Sequence, residues 1–353
     1  MRFSSEINPD VQAIDDLLAA VGMEHGRRRL MRAGYVPQAR HPRQEGPEPQ
    51  EKLRAVAAGL STQHSELLRA AGIAHGFSTR TGGASTVYLE GAGEPEQQGE
   101  LGGELNLGFT ATDDRANVTE NRARLLRGVF GRPMPLVTLH QVHSSITYRV
   151  VRADADRETP LKGDGLMTDE PGVVLGVQTA DCVPVLVADT KRGAVAAFHA
   201  GWRGTLRRIV EGGVGRMRVE FGSEPKDLVA AIGPSIGPCC YAVGDEVDAE
   251  FRSQFFYAEE LFCDVYDSDP VRKKYPMLFL SQRAPGHTEM GPSLHLDLAE
   301  ANRRQLLDAG LAREAIEVSG HCTSCRTDLY FSHRASSGFA GRMMNVIAAR
   351  PGA

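Results

Sequence analysis

Three short segments of this 353-residue chain carry side chains able to hold a soft metal ion, or to act as a nucleophile with its base. They are His140-Gln141-Val142-His143-Ser144, Thr179-Ala180-Asp181-Cys182-Val183-Pro184 and Phe198-His199-Ala200-Gly201-Trp202-Arg203. Each lies at or near the end of an apolar β-type run, where a rigid strand can fix a side chain. One thiolate, Cys182, and two imidazoles, His143 and His199, suit Zn²⁺. Three protein ligands leave a fourth position open, as in catalytic rather than closed structural zinc sites. Cu²⁺ also takes such donors, and binds most nitrogen and sulfur sites more tightly than Zn²⁺. The three positions are too far apart for any compact zinc-finger spacing. Residue type alone therefore leaves a second reading open, in which both histidines are hydrogen-bonded core residues and Cys182 is inert. Asp181 beside Cys182 tilts the balance, because a carboxylate in an apolar strand needs a partner.

The elements that must position these residues follow from hydrophobic patterning. Strands are expected at Ala74–Thr79, Leu136–Leu139, Ile146–Val151, Gly165–Thr168, Val173–Gln178, Val183–Ala188, Ala194–Phe198, Leu228–Ile232, Ile316–Val318 and Leu329–Phe331. Helices are expected at Asp114–Phe130, Thr205–Phe221, Val243–Gln254 and Leu296–Ala309, the last with Asp297 in its first turn and Gly310 past its end. Strands and helices mixed without a strict βαβ rhythm indicate an α/β or α+β domain with layered sheets. Residues 1–70 read as an N-terminal extension. It has a short amphipathic helix over Val11–Val21, a Pro-rich linker over Pro37–Pro49 and a second helix over Glu51–Ala71. The catalytic domain is placed at 71–350, with an irregular insertion near 255–292.

Composition excludes classes. Forty basic against forty-five acidic residues leave a formal charge of −5, which argues against a nucleic-acid polymer or an anionic membrane as partner. The N-terminus has no apolar signal core and no apolar run is long enough to span a bilayer, so a soluble, cytoplasmic protein is expected. Six cysteines are too sparse for a disulfide scaffold. Cys322-Thr-Ser-Cys325 is a single CxxC without a second such pair and is read as structural, and Cys239-Cys240 sit in a Gly/Pro turn with no role assigned.

At this point the motifs become specific. HQVHSS, GDGLMTD, VQTADCVPVLVAD, FHAGWRG, IGPSIGPCCYAVG and CTSC…YFSHRA…GRMMNVI, with the upstream HGFSTRTGGAS…LNLGF, run in order from Ala74 to Ile347. Together they resemble the laccase-domain family, also called multicopper polyphenol oxidase, YfiH-like or peptidoglycan editing factor. The resemblance implies a four-layer αββα sandwich with mixed sheets. It also implies a pocket metal on His143, Cys182 and His199, with His140 outside the ligand set. The oxidase label does not suit the residues. None of the eleven histidines forms a His-x-His pair, so one copper can be held but a four-copper oxidase cannot be assembled.

What the resemblance implies instead is a zinc enzyme of purine nucleosides. It would phosphorolyse adenosine, inosine, guanosine or methylthioadenosine, and deaminate adenosine. Zinc lowers the pKa of a bound water towards about 7, which suits attack on C6 of adenine. Phosphorolysis needs an anion clamp for phosphate. Arg80, Gly83 and Ser85, in Arg80-Thr-Gly-Gly-Ala-Ser85, are candidates, because glycines admit backbone N–H groups to an anion and Arg binds oxyanions in a bidentate fork. Arg203 adds charge before a predicted helix, and Asn106 can orient substrate. Asp164 and Asp181 are the candidate general acids or bases. A third reading makes Cys182 itself catalytic. It would be a thiolate nucleophile served by His199 or His143, in a hydrolase or amidase editing a peptidoglycan precursor. A non-enzymatic metal-binding module is a fourth.

Overall fold

The computed structural model describes residues 53–57, 60–88, 102–265 and 293–350. Chain contacts divide the protein into two units, and every described residue except Val265 belongs to the larger, Pro42–Asp264 with Ser293–Ala353. The expected helix at 11–21, the Pro-rich linker at 37–49 and residues 266–292 of the expected insertion lie outside the described residues.

The first elements are β1 (Leu53–Ala57), β2 (Leu60–Gln63), α1 (Glu66–Ala70), β3 (His75–Ser78), β4 (Thr81–Gly83) and β5 (Gly103–Glu104). Next come α2 (Arg115–Phe130), β6 (Leu136–Thr138), β7 (Thr147–Arg149), β8 (Gly165–Thr168), β9 (Val174–Thr179), β10 (Val183–Asp189) and β11 (Val195–Ala200). The rest are α3 (Trp202–Leu206), α4 (Ile209–Phe221), β12 (Leu228–Ile232), α5 (Asp245–Gln254), β13 (Phe262–Val265), β14 (Ser293–Leu296), α6 (Leu298–Asp308), β15 (Ile316–Val318) and β16 (Met343–Ala348). Two six-stranded mixed sheets dominate, one ordered β1-β2-β3-β16-β9-β6 and the other β15-β12-β10-β11-β8-β7.

Alternation along the strands fixes the layers, since successive side chains point to opposite faces. In β10, Val183, Val185 and Val187 pack with α4 and α6 through Val210, Val214 and Leu306, whereas Leu186 and Ala188 face the other sheet. In β11, Ala196 and Phe198 share the helix side, and Val195 and Ala197 the inter-sheet side. In β16, Ile347 faces the inter-sheet core, and Met344 and Val346 pack with Leu125 and Leu126 of α2. The order is thus helices, sheet, sheet, helix, the αββα sandwich that the motifs implied. Each fully buried Val, Leu or Phe of these layers contributes about 1.5–3 kcal/mol before chain entropy is counted.

Helix ends match their capping chemistry. The Asp114 carboxylate accepts from Ala116 N at 2.9 Å, and Gly131, left-handed at φ 72°, closes α2. Asp297 caps α6 through Glu300 N at 2.9 Å.

Three expectations fail. The helix expected over Glu51–Ala71 is an antiparallel pair, β1 with β2, followed by the short α1, and β2 pairs onward with β3. The sheet therefore begins within the expected extension. The helix expected over Thr205–Phe221 is broken where Arg208 adopts φ 56°, with its guanidinium bonded to Glu211 and to Gln254 O. Leu329–Phe331 is turn, not strand.

Candidate metal centre

β10 and β11 are antiparallel neighbours with Pro184 opposite His199, so Cys182, just before β10, arrives beside the C-terminal end of β11. His199 alternates with Phe198, which puts its ring on the inter-sheet side, and it is buried at 4% exposure. The loop after β6 brings His143 to the same place. Cys182 Sγ lies 3.9 Å from His143 Nε2, and the two imidazoles meet edge-on with centroids 5.0 Å apart. One ligand atom from each of the three residues falls within 4.8 Å of the others. His199 is buried, Cys182 half-buried and His143 exposed, so the group opens to solvent on the His143 side. His140 is exposed and outside the group, as expected.

The first residue before β8, Asp164, organises the group. Pairing of Gly165 with Phe198 sets Asp164 against His199, whose Nδ1 lies 2.8 Å from Asp164 Oδ1. That contact commits Nδ1 as the donor and makes Nε2 the ligand atom, available to a metal that displaces its proton. The same carboxylate accepts from the N–H groups of Val142, His143 and Ser144 at 3.3, 3.1 and 2.6 Å, and from Ser144 Oγ at 2.7 Å. His143 needs this restraint, because it holds φ 58°, a left-handed conformation that costs a side-chain-bearing residue about 1–2 kcal/mol.

Charges are coupled across the group. Burial raises the Cys182 thiol, but His199 and His143 outweigh it and bring the thiol down to about 6. Burial disfavours charge on His199, yet Cys182 and Asp164 carry it up to about 9. Burial raises Asp164, but hydrogen bonds from His199 and Ser144 hold it at about 2. A thiolate and imidazoles at this spacing form a donor set of the kind that binds Zn²⁺ or Cu²⁺. Gly201 keeps the space clear, since a Cβ there would stand 2.9 Å from His143 Cδ2 and 3.0 Å from Cys182 Sγ.

The remaining sequence candidates separate. Asp181, next to Cys182 in the chain, is half-buried, with Oδ1 accepting from Thr323 Oγ1 at 2.7 Å and Oδ2 from Arg334 N at 2.8 Å. Arg203 is exposed and stacks over Trp202 at 4.3 Å. Arg80 is engaged within the fold. Its guanidinium pairs with Glu104, donates to Thr327 O at 2.6 Å and lies over the Phe331 ring. Gly83 packs its Cα against the neighbouring strand, where a Cβ would lie 2.1 Å from Glu104 O. Ser85 and Asn106 are fully buried and both bond Asp113 Oδ2, at 2.7 and 2.6 Å. These four residues build the packing around β4 and β5; their hydrogen bonds do not reach His143, Cys182 or His199.

Sequence reasoning passed over Ser144, Gly201, Tyr241 and Arg207. Arg207 donates to His143 O at 3.3 Å, and burial together with the nearby Cys182 charge raises the Tyr241 phenol to about 12. Ser144 lies within the quoted HQVHSS string, but nothing in a string shows that it faces a carboxylate twenty residues onward. Among the described residues, no helix is long and apolar enough to cross a membrane.

Comparison with known proteins places the chain. The purine nucleoside phosphorylase YlmD of Geobacillus stearothermophilus is 38% identical over 252 residues, 70% of this chain and 84% of that protein. The adenosine deaminase RL5, from an unknown prokaryotic organism, is 34% identical over 249 residues, 69% of this chain and 86% of that protein. The crystal structure of the hypothetical protein YfiH of Bacillus licheniformis matches with a TM-score of 0.67 at 31% identity, over 86% of this chain and 100% of that one. Residues 74–350 match the family described as multi-copper polyphenol oxidoreductase laccase, and the chain belongs to that family.

Proposed function

We propose that this chain is a zinc-dependent purine nucleoside enzyme of the cytoplasm. It phosphorolyses adenosine, inosine, guanosine or methylthioadenosine, and deaminates adenosine. The observation that carries the proposal is the convergence of His143, Cys182 and His199, backed by Asp164, in a chain whose relatives bear the names purine nucleoside phosphorylase and adenosine deaminase. His143, Cys182 and His199 would hold the metal, which supplies Lewis acidity when bound. Asp164, enclosed by donors and held ionised, fixes the His199 tautomer and the His143 loop. That makes it a positioning residue. Proton transfer is assigned to Asp181, the half-buried carboxylate next to Cys182. Arg203, rather than Arg80, is assigned as an exposed cation for the substrate, alongside the exposed Arg207 that bonds His143 O.

The test is incubation of the purified chain with adenosine and with inosine, each with and without phosphate. Phosphate-dependent release of free base supports phosphorolysis, and inosine formed from adenosine supports deamination. Neither product from any of these nucleosides sinks the proposal.

One observation favours a second reading. Cys182, His199 and Asp164 line up as thiolate, imidazole and orienting carboxylate, the order of a cysteine hydrolase or of an amidase editing a peptidoglycan precursor. The two readings use one thiolate in exclusive ways. Activity that survives complete zinc removal and is lost on alkylation of Cys182 selects the hydrolase.

A further inference from the structure

The sequence assigns no chemistry to Cys239, Cys240, Cys322 or Cys325. In the fold they meet. Cys239 and Cys240, in the turn after β12, and Cys322 and Cys325, in the turn after β15, bring all four Sγ atoms within 4.8 Å of one another. Cys325 Sγ lies 3.5 Å from Cys239 Sγ and 3.4 Å from Cys240 Sγ.

This arrangement is not hydrophobic packing, because Cys239 and Cys325 are exposed. Nor is it a pair of disulfides: all four thiols are free, and Cys325 approaches two partners equally closely. Adjacent residues in extended chain point apart, so Cys239 and Cys240 converge only because their turn folds back, with Cys240 N and Tyr241 N both donating to Gly237 O. Four thiolates around one tetrahedral zinc at about 2.3 Å would stand about 3.8 Å apart, close to what is seen. The turn also supplies a supporting donor, Gly237 N to Cys322 Sγ at 3.2 Å. Gly237 packs closely on the cluster, since its Cβ would lie 3.3 Å from both Cys239 Sγ and Cys322 Cβ.

We propose that Cys239, Cys240, Cys322 and Cys325 form a second, closed metal site that binds one zinc ion as four thiolates. The two turns it joins also support the first site. Ile236 N donates to Asp181 O at 3.0 Å, and Thr323 Oγ1 to the Asp181 carboxylate. The second ion thus fastens the scaffold from which Asp181 and Cys182 project. The site is independent of any metal on His143, Cys182 and His199.

The test is zinc content of the full chain by inductively coupled plasma mass spectrometry, in wild type, Cys182→Ala and the Cys322→Ser/Cys325→Ser double variant. Two zinc ions are expected in wild type, one in Cys182→Ala and one in the double variant. Cys182→Ala keeps all four cysteines, so its result stands even if the double variant does not fold. Cobalt loaded into Cys182→Ala should show the absorption of a four-thiolate tetrahedral site, and Cys239, Cys240, Cys322 and Cys325 should resist alkylation until a chelator is added, while the exposed Cys263 reacts at once. A wild-type chain whose zinc disappears entirely in Cys182→Ala overturns the proposal, as does an intact mass showing disulfides among the four. One zinc per wild-type chain that survives Cys182→Ala but not the double variant instead removes the metal from the proposed nucleoside site.

Discussion

Asp164→Asn separates a positioning role from a catalytic one, and its cost can be worked from the contacts. The buried carboxylate accepts from five donors: Val142 N, His143 N, Ser144 N, Ser144 Oγ and His199 Nδ1. An amide keeps one acceptor oxygen and turns the other into a donor. If the amide nitrogen takes the Oδ1 place it faces the N–H groups of His143 and His199; in the Oδ2 place it faces those of Val142 and Ser144. Either way two N–H donors lose their acceptor, at about 1–3 kcal/mol each, so the fold should lose about 2–6 kcal/mol. His199 can escape the clash only by moving its proton to Nε2, which removes a ligand, and loss of an orienting carboxylate typically lowers metal affinity about 10–100-fold. The assays are urea unfolding for stability, zinc competition against a chromogenic chelator for affinity, and the pH profile of kcat. Unchanged stability together with unchanged zinc affinity would refute the reasoning. Intact stability and zinc binding, with a slower rate and a lost limb of the pH profile, would make Asp164 the proton-transfer group instead.

Gly201→Ala should weaken zinc binding, because the new Cβ must push aside His143 or Cys182 at a cost of about 1–3 kcal/mol; chelator competition that matches wild type refutes it. Arg80→Met breaks a buried pair with Glu104 and should cost about 3–5 kcal/mol in urea unfolding while leaving the KM for phosphate unchanged. A raised phosphate KM without loss of stability would restore Arg80 as an anion clamp. His75 is lowered from its ordinary value by burial, and its two ring nitrogens are occupied by Ser65 N and Ile73 O, each at 2.8 Å. The native state therefore binds fewer protons there than the unfolded chain. The contribution of His75 is complete above about pH 6.5 and is lost as pH falls through the lowered native value, so a His75→Asn variant should show a flatter decline in urea midpoint from pH 7 to pH 5 than wild type.

Much of the architecture was legible because strong local signals agree with it. Val183–Asp189 is a β-branched run and becomes the central β10, and α2 lies between the cap and the left-handed glycine that the sequence supplies. Misreading came where pattern and pairing conflict. The apolar positions of 51–71 fit a helix, yet β2 gains its partners from β3, more than ten residues onward. Met343–Ala348 is rich in good helix formers and was passed over, although it is strand β16, with β3 on one side and β9 on the other. The candidate ligands were legible as residue types. The role of Asp164 was not, because it depends on the register of β8 against β11. The pairing of Arg80 with Glu104 is hidden for the same reason, since Glu104 is brought in by the β4–β5 pairing.

The donor set also narrows the chemistry that the family name suggests. Among the described residues, the two groups able to hold a metal are His143 with Cys182 and His199, and the four cysteines. A trinuclear copper cluster needs many imidazoles at one place, and neither group offers more than two. The remaining choice is between Cys182 as a ligand and Cys182 as a nucleophile. The fold prepares both in the same way: a thiolate brought down to about 6, an imidazole raised to about 9, and a carboxylate holding that ring. The exposed, left-handed His143 distinguishes them. A nucleophile needs one base, and His199 with Asp164 already provides it. A second imidazole held 3.9 Å from the same sulfur, in a conformation maintained by three backbone hydrogen bonds to Asp164, is redundant for thiol catalysis and necessary for a three-ligand metal site. His143→Ala should therefore reduce zinc binding and nucleoside turnover together, and a variant that keeps full turnover after zinc removal would favour the nucleophile.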